Sequence, residues 1–254
     1  MPRLDQINSV LRGAVGSFAL IALVACSTGQ EVSQSAQGLN DPYEAQNRKT
    51  HEFNTALDTN LLRPTSRAYA AVVPTPVRTS VSNFSKNLSM PQVVVNSLLQ
   101  GNLENAGTAT FRFVLNSTVG MLGLFDAASE FKVADVDSDF GETLAVWGVG
   151  EGAFLEIPVF GPAFQRDAVG KVVDLFTNPL TANLNEPETY ISPTTSALRA
   201  LHNRDRFSST IDSLLYESAD SYAQTRLIYQ ESRRFKITSK TTNTPATYED
   251  PYEQ

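Results

Sequence analysis

The chain has 254 residues, of which 41% are hydrophobic and 19% are charged, and its formal net charge is -7. This length is sufficient for one large globular domain or two small ones. The acidic balance argues against nucleic acid as a main partner, because lysine and arginine drive binding to a phosphate backbone. One cysteine and two histidines exclude an intramolecular disulfide and leave almost no ligands for a thiolate–imidazole site, so no metal and no cofactor is expected.

The first 25 residues have the composition of a secretory signal peptide. An uncharged run, Gly13–Ala25, is too short to span a bilayer and has the length of a signal core. It ends in Leu23-Val24-Ala25-Cys26, which resembles the lipobox of bacterial lipoproteins. The alternative is an ordinary signal peptide with a coincidental thiol. Lipidation of Cys26 is favoured because it accounts for the lone cysteine of an exported chain, and Ser27 after it favours sorting to the outer membrane.

The remaining chain divides by composition into a tether, one folded region and a tail. Residues 26–39 are polar and predict a flexible, lipidated tether. Residues 238–254 are rich in Thr, Asn and Pro and predict a disordered tail. Residues 40–237 are therefore expected to form a single domain.

Helical signals dominate the first half of this domain. Asn40 or Asp41 is a predicted cap of a first helix that Pro64 ends. A second helix is predicted around Val77 to Leu88, and Pro91 is expected to start another, which Gly101 stops.

Helical spacing also marks the end of the domain. Apolar residues recur with a helical period over residues 194–218, and Asp220 is a predicted cap of a last helix that carries Phe235. Alternating strand patterns are scarce. The predicted fold class is mainly α.

One stretch does not resemble an ordinary soluble helix. Residues 113–125 are uncharged and apolar nearly all round, between Arg112 and Asp126. Such a helix is either buried in protein or lies in lipid, and this one is too short to span a bilayer. Both a central core helix and a helix within one leaflet remain open. Arg112 and Asp126 either line a polar passage or pair as structural ions.

A second unusual stretch is rich in glycine and aromatic residues. Gly148, Gly150 and Gly152 do not match a dinucleotide-binding pattern. The run from Trp147 to Pro162 is interpreted either as an irregular apolar loop packed on the helices or as part of a mobile lip around an apolar passage.

The sequence does not match the catalytic and metal-binding patterns tested against it. Asp135-x-Asp137-x-Asp139 lacks the glycine and glutamate of a calcium loop and is interpreted as a solvated acidic turn. The chain has no G-x-S-x-G elbow, and a catalytic triad would have to use His51 or His202, each interpreted as an exposed or satisfied polar residue. The sequence supports no enzyme, no catalytic residue and no metal site.

Many separated landmarks resemble the MlaA (VacJ) family of outer-membrane lipoproteins over roughly residues 40–235. They occur in one order and include Asp41-Pro42-x-Glu44, Asn47-Arg48, Phe53-Asn54, Arg63-Pro64, Pro74-x-Pro76-Val77-Arg78, Asn83-Phe84, Leu99-Gln100-Gly101, Arg112-Phe113-x-Leu115-Asn116-Ser117, Phe140-Gly141-x-Thr143-Leu144, Trp147-Gly148-Val149-Gly150 and Arg166-Asp167-x-x-Gly170. Residues 185–218 match more loosely.

The resemblance implies a single ring-like helical domain with amphipathic helices embedded in the periplasmic leaflet of the outer membrane. Its members remove mislocalised phospholipids from the outer leaflet, pass them to the soluble periplasmic carrier MlaC for return to the inner membrane, and associate with trimeric porins. They carry out no covalent chemistry.

A passage for phospholipid would place headgroups along polar positions and acyl tails along apolar ones, because a bare charge in hydrocarbon costs several kcal/mol. The hypothesis assigns the lining or gating of this passage to Phe113, Leu115, Asn116, Leu122 and the loop of Gly148, Gly150 and Gly152. The alternatives are a structural or adhesive surface lipoprotein without a transport role, and a phospholipase.

Overall fold

The computed structural model describes residues 40–180 and 190–241. Contacts divide the chain into one unit that ends at Pro42 and a second that begins at Tyr43. The predicted signal peptide, Cys26 and the predicted tether lie outside the described residues, as does the predicted tail beyond Thr241. The description below concerns the second unit.

The described part of this unit is mainly helical, which confirms the predicted fold class. In chain order its elements are α1 (Glu44–Leu57), a first π-helical turn (Asp58–Leu62), α2 (Arg63–Val72), α3 (Thr75–Leu99), α4 (Leu103–Thr118), α5 (Ala127–Glu130), α6 (Phe140–Val146), β1 (Phe154–Ile157), β2 (Gly161–Phe164), α7 (Gln165–Thr177), α8 (Ile191–Arg206), α9 (Ser208–Asp212), a second π-helical turn (Ser213–Glu217) and α10 (Ser221–Thr241). None of the helices described is both long and apolar enough to cross a bilayer.

Two prolines do not act as the sequence predicted. Pro64 lies in the first turn of α2, and the chain before it is already helical through the preceding π-helical turn, so Pro64 does not end a helix. Pro91 lies inside the continuous helix α3 rather than between two helices. An internal proline costs about 3 kcal/mol. Packing opposes this cost, because Met90 and Val93 on either side are buried against Ala109 of α4.

Three helix ends test the predicted caps. Gly101 stops α3 as predicted: its φ is +72°, its N–H bonds to Leu98 O, and the next N–H bonds to Ser97 O, which is a Schellman motif. Asp220 caps α10 as predicted, accepting from the N–H of Ala223 at 2.9 Å. The predicted cap of the first helix, Asn40 or Asp41, was wrong. α1 begins at Glu44, and its N-cap residue is Tyr43, whose side chain makes no capping hydrogen bond.

The last helix continues beyond the predicted domain end at residue 237. It ends at Thr241, so residues 238–241 are helical rather than tail. Lys240 in this last turn donates to Asp137 O at 2.6 Å and forms an ion pair with Glu142. These contacts fix the extra turn against the rest of the domain.

The glycine-rich run contains a β-hairpin that the sequence analysis missed. β1 and β2 are antiparallel, with Phe154 opposite Phe164 and Ile157 opposite Gly161. Four-residue strands are too short for alternation to reveal them. Asn47 of α1 holds the hairpin by donating to Phe154 O at 3.1 Å and accepting from Glu156 N at 3.0 Å.

Two small apolar clusters form the core. One joins α3 and α4 and the other joins the hairpin to α10. In the second, Phe154 makes edge-to-face contacts with Phe164 and Tyr222, with ring centroids 6.2 and 6.0 Å apart. Aromatic pairs of this geometry contribute about 0.5–1.5 kcal/mol beyond their buried area. Most of the remaining interior is polar.

Candidate functional site

Polar and apolar side chains are distributed in an unusual way. Among the described residues, the buried polar and charged residues outnumber the buried hydrophobic ones, and most of the latter are alanines. Arg112, Gln230 and Glu142 are among the largest fully buried side chains. Many large apolar side chains are exposed instead, although water-soluble monomers rarely expose extensive apolar patches. The fold therefore places charge inside and hydrocarbon outside.

The exposed apolar side chains are dense in one segment, residues 111–131, which we call the apolar segment. Its exposed members are Phe111, Val114, Val119, Met121, Leu122, Leu124, Phe125 and Phe131. Leu122 is 69% exposed and Met121 is 62% exposed. This exposure contradicts the core-helix interpretation of residues 113–125, because a core helix would bury these side chains in the protein.

The apolar segment is not one helix. α4 ends at Thr118, and the chain then turns tightly, with positive φ values of 51° at Met121, 61° at Leu122 and 93° at Gly123. Non-glycine residues rarely adopt this conformation. The turn is fixed by backbone hydrogen bonds, including Gly123 N to Asn116 O at 2.8 Å. It projects large apolar side chains outward.

Arg112 and Asp126 pair with each other beneath this turn, so the structural-ion alternative is the one found. One guanidinium nitrogen lies 3.0 Å from each carboxylate oxygen, and another donates to Val133 O at 2.7 Å. Burial opposes ionisation of Asp126, but hydrogen bonds from Ser129 and Asn116 and the charge of Arg112 outweigh it and hold its pKa below the ordinary value. Asp126 also caps α5.

The four residues of this segment that were predicted to line or gate the passage lie in different surroundings. Phe113 is half-buried against the α3–α4 cluster, and Leu115 is also half-buried. Asn116 is buried, donating to Asp126 at 3.1 Å and accepting from Ala128 N at 2.8 Å. Leu122 faces outward. One side of the segment is therefore polar and buried while the other is apolar and exposed.

The three predicted loop glycines precede the hairpin. Gly148 and Gly152 have positive φ values of 89° and 74°, and Gly150 is exposed with open space where a Cβ would lie. Two arginines hold this loop: Arg234 binds Glu151, with contacts of 2.5 and 3.1 Å, and Arg166 donates to Val149 O at 3.2 Å. No hydrogen bond or ion pair found in the described residues joins the loop to the apolar segment. The role of these glycines as a lip stays a prediction.

A buried ionic network that the sequence did not reveal lies around Arg233 of α10. Its guanidinium binds Asp139 at 2.7 Å, Asp167 at 2.9 Å and Glu142 at 3.1 Å. Burial opposes the charge of Asp139, but hydrogen bonding to Arg233 outweighs it and lowers the pKa of this carboxyl. Burial and the charge of Asp167 raise the pKa of Tyr229, which donates to Asp167 at 2.8 Å. The network fixes α10 to α6 and α7.

A second buried network joins the two π-helical turns. Arg204 of α8 donates two hydrogen bonds of 2.8 Å to Asp58 and one of 2.6 Å to Asp212. Tyr216 donates to Asp58 at 2.5 Å, and Arg63 donates to Asp212 at 2.5 Å. The first π-helical turn contributes Asp58 to this network and the second contributes Tyr216. The network therefore joins the two turns to each other and to α8.

The three carboxylates of the acidic triplet all form ion pairs. Asp135 binds Lys86, Asp137 binds Lys236 and Asp139 binds Arg233, so each carboxylate has its own cation. Over residues 40–180 and 190–241, no group of acidic, histidine or cysteine side chains could hold a metal ion. The two histidines are buried rather than exposed.

Comparison with known proteins assigns this architecture to a family. The family model described as MlaA lipoprotein matches residues 39–236. The intermembrane phospholipid transport system lipoprotein MlaA of Escherichia coli K12 is 33% identical over 226 residues, covering 87% of this chain and 86% of that protein. The MlaA lipoprotein of Haemophilus influenzae is 28% identical over 228 residues, covering 87% and 88%.

A solved structure supports the same assignment. It was reported as the structural basis for maintenance of bacterial outer membrane lipid asymmetry, is 31% identical in sequence and superposes with a TM-score of 0.68. The match covers 78% of this chain and 98% of that one. With the family model and the full-length relatives, this establishes that the chain belongs to the MlaA lipoprotein family.

Proposed function

We propose that this chain is an outer-membrane lipoprotein that removes mislocalised phospholipids from the outer leaflet and passes them to a soluble periplasmic carrier. The observation that carries the proposal is the inverted polarity of the fold, with charged residues buried and large apolar side chains exposed. A bilayer leaflet is the environment in which such a surface is stable. The names of the relatives in Escherichia coli and Haemophilus influenzae support phospholipid as the cargo.

Attachment to the membrane would use two signals. The first is lipidation of Cys26, because acyl chains contribute about 0.8 kcal/mol per buried CH₂. The second is insertion of the apolar segment, in which each fully transferred leucine or phenylalanine contributes about 1.5–3 kcal/mol. A chain held this way would need no spanning helix to lie in the periplasmic leaflet, and the ring-like arrangement implied by the family would then enclose a passage there.

The proposed passage has apolar and polar sides, and Phe113, Leu115, Asn116 and Leu122 would contribute to both. A cavity of about 10 Å³ lies between α3 and the apolar segment, lined by Asn83, Lys86, Asn87, Met90, Arg112, Asn116 and Asp126. This volume holds at most one water molecule. A headgroup could cross this point only if the turn moved away from α3, which makes the turn the proposed gate together with the loop of Gly148, Gly150 and Gly152.

The proposed partners are phospholipid, the carrier MlaC and trimeric porins, and transport of this kind needs no catalytic residue. A reconstitution tests the exchange directly. Vesicles that contain the lipidated protein and a labelled phospholipid are mixed with purified MlaC, and the label on MlaC is measured after the vesicles are removed. We expect more label on MlaC than with protein-free vesicles. Equal label with and without the protein would favour the structural or adhesive alternative.

A further inference from the structure

Three side chains from separate elements meet at the start of α10. Ser221 Oγ lies 3.0 Å from His51 Nε2, and His51 Nδ1 lies 3.5 Å from Glu156 Oε1. The histidine comes from α1, the glutamate from β1 and the serine from the first position of α10. A serine, a histidine and a carboxylate in this order form the arrangement by which hydrolases activate a hydroxyl nucleophile.

The histidine and the glutamate of this group are both buried. The side chains of His51 and Glu156 are only 6% and 3% exposed. Glu156 is held by Asn54, whose Nδ2 donates to Oε1 at 3.0 Å. Neither His51 Nδ1 nor Glu156 Oε2 has a hydrogen-bond partner in the structure. The ring is therefore oriented with Nδ1 toward the carboxylate of Glu156 and Nε2 toward the hydroxyl of Ser221.

The hydroxyl is also accessible. Ser221 and His51 line an open cavity of about 430 Å³ together with Thr55, Ala56 and Asn60. Because α10 begins at Ser221, the positive end of its dipole lies near this hydroxyl. Asp220 next to it is paired with Arg48 at 2.9 and 3.1 Å, which offsets its negative charge. The lining surface is more apolar than polar, which suits the hydrocarbon part of an acyl group.

We propose that Ser221, His51 and Glu156 form a hydrolytic site for carboxylic esters, an activity beyond lipid transport. Ser221 Oγ attacks the ester carbonyl carbon while its proton passes to His51 Nε2. The carbon–oxygen bond to the alcohol then breaks, and His51 returns the proton to the leaving alkoxide. Water, deprotonated by His51, then attacks the carbonyl carbon of the acyl-serine, the bond from that carbon to Ser221 Oγ breaks to release the acid, and His51 returns the proton to Oγ. Glu156 is a positioning residue for His51.

Two measurements on the purified full-length protein in detergent test this site. The first is hydrolysis of p-nitrophenyl acetate, and the second is labelling by a fluorophosphonate, with the modified residue identified by mass spectrometry. We expect Ser221→Ala to abolish both and His51→Gln to lower hydrolysis by about 10²-fold or more. Ser232→Ala is the matched control, because Ser232 lies exposed on the same helix and donates to Tyr229 O.

Glu156→Gln separates positioning from a structural role. We expect it to lower hydrolysis and to shift the acidic limb of the pH–rate profile to lower pH, because the imidazolium loses its carboxylate partner. Labelling of Ser221 is measured on the wild-type protein, so this test does not depend on whether the variants fold. Absence of that adduct, or hydrolysis that Ser221→Ala leaves unchanged, would overturn the proposal. Neither result bears on phospholipid transfer to MlaC.

Discussion

Arg112 binds both carboxylate oxygens of Asp126 at 3.0 Å, while only 1% of the Arg112 surface is exposed. The pair lies directly under the exposed turn of the apolar segment and connects α4 to the start of α5. A protein whose large apolar side chains are exposed needs interactions other than hydrophobic burial to stabilise its interior. Here a buried ion pair, with further hydrogen bonds from Arg112 to Val133 O and Ser129, does so.

Removal of this arginine should be costly. Arg112→Met leaves Asp126 without its cation, and breaking a buried ion pair costs about 3–5 kcal/mol. We expect the lower end of that range, because the Asp126 side chain is 26% exposed. Lys86→Met is the matched control, since the exposed Lys86–Asp135 pair should contribute less than about 1 kcal/mol. Urea unfolding in detergent measures both, and equal losses would contradict the assignment.

Two glycines of the same region should respond in opposite directions to alanine. Gly123 has a φ of +93°, and an added Cβ would lie 2.5 Å from Asn87 Cβ, so Gly123→Ala should destabilise the protein. Gly107 lies inside α4 with open space at its Cβ position, so Gly107→Ala should stabilise it by about 0.5–1 kcal/mol. Thermal unfolding decides between the signs. A stabilising Gly123→Ala would show that the turn differs from the one described.

The apolar segment should determine membrane binding when the lipid is absent. In a Cys26→Ala background, Leu122→Asp with Phe125→Asp should reduce flotation with phospholipid vesicles by at least tenfold, because charges in hydrocarbon cost several kcal/mol. Gln224→Asp adds a negative charge at an exposed polar position and should leave flotation unchanged. If both sets of variants floated like the parent protein, insertion by this segment would be disproved.

Asp58 should make the fold sensitive to acid. Burial raises its pKa, but hydrogen bonds from Arg204 and Tyr216 and the charge of Arg204 outweigh burial and hold the pKa below the ordinary 3.8. The stabilisation is therefore fully present above about pH 3.8 and is lost as the pH falls through the lower, folded-state value. Asp58→Asn should cost about 3 kcal/mol at pH 7. It should also flatten the decline in unfolding free energy below pH 4, and an unchanged slope would contradict this assignment.

Local signals in the sequence predicted local structure well. Gly101 and Asp220 were identified as a helix stop and a helix cap because each acts on neighbouring backbone groups. Pro64 and Pro91 were misread because tertiary packing and a preceding π-helical turn accommodate them. The hairpin was missed because its strands have only four residues each.

The buried networks could not be predicted in the same way. Arg233 and Asp139 are 94 residues apart, Arg204 and Asp58 are 146 apart, and Ser221 and His51 are 170 apart. No spacing rule relates such residues, because the fold alone brings them together. The exposure of Leu122 could not be predicted from the sequence either, because an apolar run fits a buried helix and a lipid-facing loop equally well.

Surface phospholipid is the most direct measure of the central claim, that this lipoprotein removes phospholipid from the outer leaflet. Cells whose only copy is wild type, Cys26→Ala or deleted would be treated with an enzyme that modifies only surface-exposed phospholipid. We expect modified lipid to be low in wild-type cells and raised in deletion cells, with Cys26→Ala close to the deletion. Equal levels in wild-type and deletion cells would contradict the transport function.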